Sequence, residues 1–547
     1  MLHLPRRWRK RRGKTPRDYA EWIRRYDTLT AADLEAIAQA EALLPDRPLL
    51  SVVLPVGSVG REGTAASIDS VLEQAYQSWD LWVVVGPARP AWLGDLLTHA
   101  GRRGIRVEAV TPAEALARAR GEWIVLLDSG CSLRPHALFL IARAIAENPD
   151  GGFVYADDDR LDPVGRRCEP RFKPDWNEAL LDAQNYIGPG AAFRRDLASA
   201  TGGLPGEFSE GATWALYLRL TAAVSPEMIR HLPHVLLHRT VTDETAPAVA
   251  EIPHHHPAPR RAPDVTVIVP STGNPRLLEP CLDGLLHRTA YPSVKVAVAL
   301  TEDVPGNLDP THVSQDPRVR LLLCIAAPFN YSRVCNRAAA TSETELLCFL
   351  NDDVDVIGSD WLKTMVGHVL EDRVGAVGAK LYYPDGRIQH AGVGLGLAGV
   401  AAPLHRGLPG DAEGYLGRAR LAQDLSCVTA ACLLVRRSVF EAVGGFDESL
   451  AVAFNDVDLC LRLREAGWRI VWTPAAELHH HESVSVGRPD SPARRAQFAR
   501  EIDAFRSRWG SLLDHDPHYN PNLSLERQWE PAFPPRVAYP WRETAAE

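Results

Sequence analysis

The acidic stretch at residues 351–355 (Asn-Asp-Asp-Val-Asp) contains the side chains with the clearest potential for chemistry. It follows the apolar run Leu346–Leu350, which is typical of a buried strand. Carboxylates at the exit of such a strand are costly unless a cation or water meets them. Ligands of α/β sheets bind at this end of the strands. Asp352 and Asp353 are therefore candidates to hold a divalent cation that binds phosphate. The alternative is an acidic turn capping a helix that begins near Asp360.

A second acidic cluster, Asp456 and Asp458, follows Asn455 and begins a segment with helical periodicity that ends at Gly467. Asp456 falls in the predicted first turn, where the helix dipole favours an ionised carboxylate. An ionised carboxylate in a cleft can accept a proton from a hydroxyl group, so Asp456 is a candidate general base. The alternative role for Asp456 and Asp458 is N-terminal capping of the helix.

Three consecutive histidines, His479, His480 and His481, follow the second acidic cluster. Neutral imidazole suits a transition metal such as Mn²⁺, and carboxylate suits both Mn²⁺ and Mg²⁺. The alternative is a solvated surface run, because histidine runs are common on protein surfaces.

These residues belong to an ordered series of motifs that resembles family 2 glycosyltransferases with the GT-A fold. The resemblance is strongest to the two-module bacterial proteins of the O-antigen and rhamnosyl-transferase type. The series spans roughly residues 265–509. Its motifs are residues 329–332 (Phe-Asn-Tyr-Ser), 349–354, 374–386, 388–392 (Ile-Gln-His-Ala-Gly), 428–437, 455–458 and 480–483.

The resemblance implies an inverting, metal-dependent transfer from a nucleotide-sugar donor to a growing surface glycan, with a lipid-linked or polysaccharide acceptor. It implies Mg²⁺ or Mn²⁺ as cofactor. The implied roles are base for Asp456; metal ligand for Asp353 and His480; nucleotide-sugar binding for Pro270, Ser271, Glu302, Asn336, Asp352 and Asp353; and acceptor binding for Thr429 and Asn455.

The donor-binding region departs from the family pattern in one place. Relatives carry a base-recognising Asp after the second strand of the module, whereas this chain has Leu300, Thr301, Glu302 and Asp303 there. Glu302 or Asp303 is the candidate substitute, in a shifted register.

The chain repeats itself, which predicts an α/β fold made of two tandem GT-A modules, each Rossmann-like with a mostly parallel sheet. Strand-then-proline openings occur at residues 50–56 and 265–271, and apolar strands ending in Asp128 and Asn351 follow each. The predicted organisation is a basic helical segment (1–48), a degenerate module (49–245), a Pro- and His-rich linker (246–263), a glycosyltransferase module (264–510) and a C-terminal tail (511–547).

The first module lacks acids where the second has them. Asp128 is followed by Ser129, Gly130 and Cys131, and Thr213 stands at the position that matches Asp456. We therefore predict that this module supports folding, assembly or acceptor binding. The acidic residues 157–159 either bind a ligand or organise a turn.

Composition excludes several classes of protein. The 547 residues carry a net charge of −9, which argues against a nucleic-acid partner. Nine scattered Cys are typical of reduced cytosolic thiols, and no secretory signal or bilayer-length apolar run is visible. We expect a cytoplasmic protein.

The N-terminal residues 6–14 form a dense basic run that precedes Tyr19, Trp22, Ile23 and Tyr26. Basic charge beside aromatic residues predicts peripheral contact with the anionic inner face of the cytoplasmic membrane. The alternative is a solvated tail followed by a packing helix.

Two other functions compete with sugar transfer. A non-catalytic scaffold in polysaccharide assembly is favoured by the displaced base-recognition acid. A nucleotidyltransferase is disfavoured because neither opening strand is followed by a Gly-rich, basic phosphate loop.

Overall fold

The structure, a computed structural model, describes residues 15–56, 59–85, 90–101, 107–240, 261–300, 316–324, 329–481 and 492–543. The basic run 6–14, linker residues 246–260 and Glu302 lie outside the described residues. Two α/β modules occupy most of the described chain, and two helices precede them.

The first module is built on a nine-stranded mixed sheet with the spatial order β3-β2-β1-β4-β8-β6-β9-β5, and β7 pairs with β6. Strands β1 to β4 are parallel to one another, whereas β8 is antiparallel to β4. The strands are β1 Leu50–Pro55, β2 Trp79–Val84, β3 Val107–Val110, β4 Trp123–Leu126, β5 Cys131–Leu133, β6 Phe153–Leu161, β7 Arg167–Arg171, β8 Ala192–Arg194 and β9 Ile229–Thr240.

The second module has a ten-stranded sheet with the order β12-β11-β10-β13-β20-β15-β21-β14. In addition, β16 pairs with β15, and β19 pairs with β21. A separate two-stranded sheet joins β17 and β18. The strands are β10 Val265–Ser271, β11 Val294–Leu300, β12 Val319–Leu323, β13 Leu346–Leu350, β14 Val354–Val356, β15 Val374–Tyr382, β16 Ile388–His390, β17 Val393–Leu395, β18 Ala401–Pro403, β19 Gln423–Asp424, β20 Cys432–Arg436 and β21 Arg469–His480.

The sheets of the two modules have the same strand order. β1 to β4 correspond to β10 to β13, and β5, β6, β7, β8 and β9 correspond to β14, β15, β16, β20 and β21. The prediction of two tandem α/β modules is confirmed. The domain boundaries drawn from the sequence remain predictions.

Helices cover the sheets, as parallel strands require for their crossover connections. The α-helices are Thr15–Tyr26, Ala31–Ala42, Gly60–Leu72, Leu93–Gly101, Pro112–Arg118, Ala137–Glu147, Glu178–Ala183, Arg195–Ala200, Glu210–Ala222, Pro275–His287, Tyr331–Ala339, Trp361–Val369, Arg437–Ala442, Asn455–Glu465, Pro492–Trp509 and Pro540–Glu543. Short 3₁₀ helices are Pro226–Met228, Leu397–Gly399, Tyr415–Gly417 and Gly510–Leu512. None of the described helices is both long and apolar enough to cross a bilayer.

The central strands are buried on both faces because their side chains alternate between two apolar cores. Val267 and Val269 on β10 pack into one cluster, whereas Ile268 between them packs into the other. The continuous apolar run that predicted this strand reflects burial on both faces.

The N-terminal aromatic residues are part of the core. Trp22 is 1% exposed and packs edge-on against Phe172 with ring centroids 5.4 Å apart, while the Tyr19 hydroxyl donates to Asp159 at 2.8 Å. The predicted lipid contact by Tyr19 and Trp22 is therefore wrong, because both side chains are covered by the first module. The packing-helix alternative describes them correctly.

The segment at residues 511–543, here called the strap, is packed on both modules. Asp516 accepts a hydrogen bond from an amide of β17 at 2.8 Å. Asn520 donates to Asp157 of the first module at 2.8 Å. Trp541 donates to Asp33 of the N-terminal helix pair at 2.9 Å. The strap joins three parts of the chain through polar side chains.

Candidate active site

The exit of β13 places Asp352 beside the end of β10. The Ser271 hydroxyl donates to Asp352 Oδ2 at 2.6 Å and accepts from the Gly273 amide at 2.9 Å. Asp352 is 3% exposed. Burial raises its pKa to about 6, with the neighbouring carboxylate of Asp353 adding to the effect and the Ser271 hydrogen bond opposing it. Predicted donor-site residues Ser271 and Asp352 are therefore in direct contact.

Asp353 meets His480 because β14 pairs with β21. Val354 is in register with His480, so the residue before β14 lies against the end of β21. Asp353 Oδ1 lies 3.1 Å from His480 Nε2, and the two residues are 4% and 5% exposed. Among the described residues, Asp353 Oδ1 accepts no hydrogen bond. The two predicted metal ligands are thus brought together.

Gln389 on β16 fixes the orientation of the His480 ring. The Gln389 amide nitrogen donates to the His480 carbonyl at 3.1 Å, which turns Gln389 Oε1 toward His480 Nδ1 at 2.6 Å. Nδ1 therefore carries a proton. In a neutral ring, Nε2 is then an acceptor that lies 3.3 Å from the Asn351 amide nitrogen and 3.1 Å from Asp353 Oδ1. The close approach of Nε2 to the buried carboxylate oxygen is stabilised by a cation or a proton between them.

The Asp353–His480 pair fits part of a divalent metal site. No group of three His, Cys, Asp or Glu side chains with a metal-ligating arrangement occurs in the described ranges of the chain. The pair would therefore offer a metal two ligands, an imidazole and a carboxylate. Mg²⁺ and Mn²⁺ commonly take few protein ligands and complete their coordination with water and substrate phosphates.

Asp456 lies in the first turn of helix Asn455–Glu465, as predicted. Its Oδ2 accepts from the Ala430 amide at 3.1 Å, and its Oδ1 accepts from the Val457 amide at 2.9 Å. Burial raises the pKa of Asp456 above its usual value, while the hydrogen bonds from Ala430 and Thr429 limit the rise. A carboxylate with a raised pKa is a stronger base, and Asp456 is only partly covered by the protein.

The backbone before this helix is strained. Phe454 has φ of 61°, in the left-handed region, and makes no side-chain cap. Asp456 makes one hydrogen bond within the first turn of the helix, to Val457, and one to the Ala430 amide. Asp458 acts differently: it pairs with Arg462 at 2.7 Å and accepts from Trp509 at 2.9 Å. The capping alternative explains only one of the contacts of Asp456.

Asn455 and Thr429, the predicted acceptor-binding residues, flank Asp456. Asn455 is 4% exposed, donates to Ser332 at 3.2 Å and accepts from the Asp456 amide at 2.8 Å. The Thr429 amide donates to His390 Nε2 at 3.2 Å. Both residues hold the local structure around Asp456, and direct contact with an acceptor stays a prediction.

Asn336 and Pro270 have structural surroundings. The Asn336 amide donates to the Phe446 carbonyl and accepts from the Phe446 nitrogen, each at 2.9 Å. Pro270 is buried within β10. Donor contact by either residue stays a prediction, as does that of Glu302, which the structure does not describe.

The helix-cap alternative for the acidic stretch does not describe Asp352 or Asp353. Helix Trp361–Val369 begins after Asp360, which makes no side-chain capping hydrogen bond. Asp352 and Asp353 instead face Ser271 and His480.

Sequence reasoning missed Gln389 and His390 as site residues. Both are completely buried, and they contact His480 and Thr429, respectively. The available signal is the Ile-Gln-His-Ala-Gly motif at residues 388–392, which marks the family resemblance but does not by itself give either side chain a role.

The acidic residues 157–159 of the first module form neither a turn nor an open acidic cluster. They lie in β6, and each pairs with a cation. The pairs are Asp157 with His231 at 2.9 Å, Asp158 with Lys173 at 2.7 Å and Asp159 with Arg167 at 2.6 Å.

Comparison with known proteins identifies a family match within the second module. Residues 262–504 match the family model for glycosyltransferase-like family 2. The chain is similar to an uncharacterised protein of Sinorhizobium fredii, with 38% identity over 536 residues that cover 88% of this chain and 58% of that protein.

Two further relatives carry functional names. The O-antigen biosynthesis protein RfbC of Myxococcus xanthus is 34% identical over 560 residues, covering 93% of this chain and 42% of that protein. The N-acetylglucosaminyl-diphospho-decaprenol L-rhamnosyltransferase of Mycobacterium tuberculosis is 36% identical over 123 residues, covering 21% of this chain and 40% of that protein. The chain spans about half the length of these curated relatives.

Proposed function

Residues 262–504 belong to glycosyltransferase-like family 2, and we propose that they form an inverting, metal-dependent glycosyltransferase. The donor is a nucleotide sugar and the acceptor is a growing surface glycan. The observation that carries the proposal is the buried contact between Asp353 Oδ1 and His480 Nε2, a carboxylate and an imidazole nitrogen 3.1 Å apart that a shared divalent cation would bridge.

Asp456 is the general base of the proposed reaction. It accepts the proton of the acceptor hydroxyl, whose oxygen then attacks the anomeric carbon from the face opposite the nucleotide. Asp353 and His480 hold the metal, and Asp352, oriented by Ser271, lies next to them. When bound, Mg²⁺ or Mn²⁺ supplies Lewis-acid stabilisation of charge on the departing diphosphate. General-base catalysis of this kind contributes roughly 10²–10⁴-fold in rate.

The named relatives support the choice of acceptor. One is an O-antigen biosynthesis protein and another transfers rhamnose to a sugar carried on a lipid diphosphate. We therefore propose a lipid-linked or polysaccharide acceptor. A cytoplasmic location is part of the proposal, supported by nine free cysteines, most of them buried.

A panel of nucleotide sugars, screened by thermal shift on the full-length protein, tests the metal-dependent donor site. A donor at about 100 times its Kd stabilises the folded protein by roughly 2.7 kcal/mol. We expect this shift with Mn²⁺ and its loss in EDTA. Asp353→Ala should abolish the Mn²⁺-dependent part of the shift.

The matched control is Asp355→Ala. Asp355 belongs to the same acidic stretch but pairs with Arg288 at the surface, so its variant should bind the donor normally. If no sugar nucleotide stabilises the wild-type protein, the non-catalytic scaffold replaces this proposal. An unchanged Mn²⁺-dependent shift in Asp353→Ala would exclude Asp353 as a ligand.

A further inference from the structure

The duplicated fold identifies the residue of the first module that occupies the place of His480. In the second sheet, β14 pairs with β21 so that Val354 is opposite His480. In the first sheet, β5 pairs with β9 so that Cys131 is opposite Arg239. Cys131 and Val354 are the first residues of corresponding strands. Arg239 therefore stands where the second module has its imidazole ligand.

The first module has no counterpart of the Asp353 carboxylate, and its backbone conformation at that position disfavours a side chain. Gly130 precedes Cys131, as Asp353 precedes Val354, and Gly130 has φ of 83°. A side chain there would be strained, and its Cβ would lie 3.1 Å from Val59 Cγ1. The carboxylate–imidazole pair of the second module has thus been replaced by a glycine and a fixed cation.

Three cationic side chains surround a single buried carboxylate beneath this position. Asp158 lies 2.9 Å from Arg239, 2.7 Å from Lys173 and 3.9 Å from Arg171. Lys173 also donates to two backbone carbonyl oxygens, each at 2.6 Å, so all three N–H groups of its ammonium have acceptors. Arg171 also donates to the Tyr186 carbonyl at 3.4 Å, and both guanidinium groups keep further N–H groups that Asp158 does not bind.

Both arginines reach the surface of the module. Their side chains are 22% and 16% exposed, whereas the Asp158 side chain is 1% exposed. Gly188 lies against this group: a Cβ added at Gly188 would have an Arg171 guanidinium nitrogen as its nearest atom, at 3.6 Å, and Asp158 at 3.8 Å. Two partly exposed guanidinium groups therefore lie over a buried carboxylate.

Asp128 and Arg160 are further charged groups that interact with the two arginines. Asp128, at the exit of β4, has its pKa raised to about 6 by burial and by Glu210, while Arg239 opposes the rise. Burial and repulsion from Arg239 and Arg160 lower the pKa of Arg171, although Asp158 opposes that change. Partly buried guanidinium groups that repel one another are stabilised by an anion that bridges them.

We propose that the first module binds a diphosphate group without a metal ion, through Arg239 and Arg171. The planar guanidinium fork matches phosphate oxygens in two-point contacts. Nucleotide sugars and lipid-linked glycans both contain a diphosphate, so the shared group is the ligand chemistry assigned here. The proposal concerns the first module alone and does not depend on transfer by the second.

Titration calorimetry with inorganic pyrophosphate in EDTA tests this site. The full-length protein should carry Asp353→Ala, so that the metal site of the second module makes no contribution. We expect saturable binding that weakens at least about tenfold in Arg239→Gln and in Arg171→Gln, because each loses a charge-assisted contact. Asp128→Asn should bind as tightly as its parent or more tightly, since it removes a repelling carboxylate.

Arg230→Gln is the matched control. Arg230 lies on the same strand, β9, but pairs with Glu147 at the surface, and its variant should bind pyrophosphate like the parent. Arg239→Lys keeps a cation beside Asp158 and is the variant to use if Arg239→Gln does not fold. It should bind more weakly because an ammonium group lacks the fork.

Uridine diphosphate and farnesyl diphosphate, titrated in the same way, distinguish a nucleotide from a lipid source of the diphosphate. Tighter binding of either one than of pyrophosphate supports the site and names its ligand class. Absence of pyrophosphate binding in EDTA overturns the proposal. Binding that folded Arg239→Lys and Arg171→Gln variants both leave unchanged also overturns it.

Discussion

Three aspartates of the second module show how surroundings assign different chemistry to one residue type. Asp352 is held by the Ser271 hydroxyl and has a pKa of about 6, mainly because it is buried. Asp353 Oδ1 lies 3.1 Å from His480 Nε2. Asp456 has a raised pKa in the first turn of a helix and is partly exposed. The first two suit a cation, and the third suits a proton.

The buried Asp352 carboxylate should make the metal-free protein less stable as pH rises. Its pKa in the folded state is about 6, above the ordinary value of 3.8. The folded state therefore holds the proton more tightly, and stability falls between about pH 4 and pH 6. Asp352→Asn removes this cost. In EDTA at pH 8 we expect it to raise the free energy of unfolding by up to ~3 kcal/mol, with little change at pH 4.

Urea unfolding of the wild-type and Asp352→Asn proteins at the two pH values measures this difference. Mn²⁺ with a bound nucleotide sugar should reduce it, because the cation stabilises the ionised wild-type carboxylate. A stability difference of equal size at pH 4 and pH 8 would contradict the assigned ionisation.

At the scale of elements, the metal site depends on strands that are distant in sequence. His480 ends β21, Asp353 precedes β14, and Gln389 lies in β16, which pairs with β15. The strand pairing brings these ends to one edge of the sheet. Groups that orient a metal-bound histidine typically contribute 10–100-fold to metal affinity. In the proposed metal site of the second module, Gln389 would have this role.

Gln389→Leu should therefore weaken the Mn²⁺ dependence of donor binding by about tenfold or more, because Nδ1 of His480 loses its acceptor. Gln389→Glu keeps an acceptor oxygen and should retain most of the affinity. Titration of Mn²⁺ at a fixed nucleotide-sugar concentration measures the effect. Equal Mn²⁺ dependence in wild type and a folded Gln389→Leu protein would show that the ring orientation is set by other contacts.

At the scale of the whole molecule, the sequence predicts the features that repeat or have a period. The tandem modules follow from two similar series of apolar runs, and the helix that begins at Asn455 follows from its amphipathic pattern. Gly130 precedes β5 as Asp353 precedes β14, in agreement with the predicted loss of an acid there, whereas the match of Thr213 to Asp456 stays a prediction.

Contacts between residues that are distant in sequence could not be predicted, because no local pattern encodes them. Gln389 and His480 are 91 positions apart. The sequence predicts only a tail where the strap lies, yet Asn520 reaches Asp157 in the first module. Tyr19 and Trp22 look like membrane anchors because the sequence does not show that Phe172 covers them. The correspondence between Arg239 and His480 could be recognised only from the register of β5 against β9.

The central claim is that the full-length protein transfers a sugar with Asp456 as its base, and transfer by Asp456→Asn tests it most directly. The assay uses the nucleotide sugar identified by thermal shift, with Mn²⁺ and a lipid-linked glycan acceptor. Wild-type transfer should fall as pH drops through the raised pKa of Asp456, because the protonated carboxyl cannot accept the hydroxyl proton. Asp456→Asn should bind the donor normally, and its transfer rate should fall by roughly 10²–10⁴-fold. Near-wild-type transfer by an Asp456→Asn protein that is folded and binds donor would contradict the account.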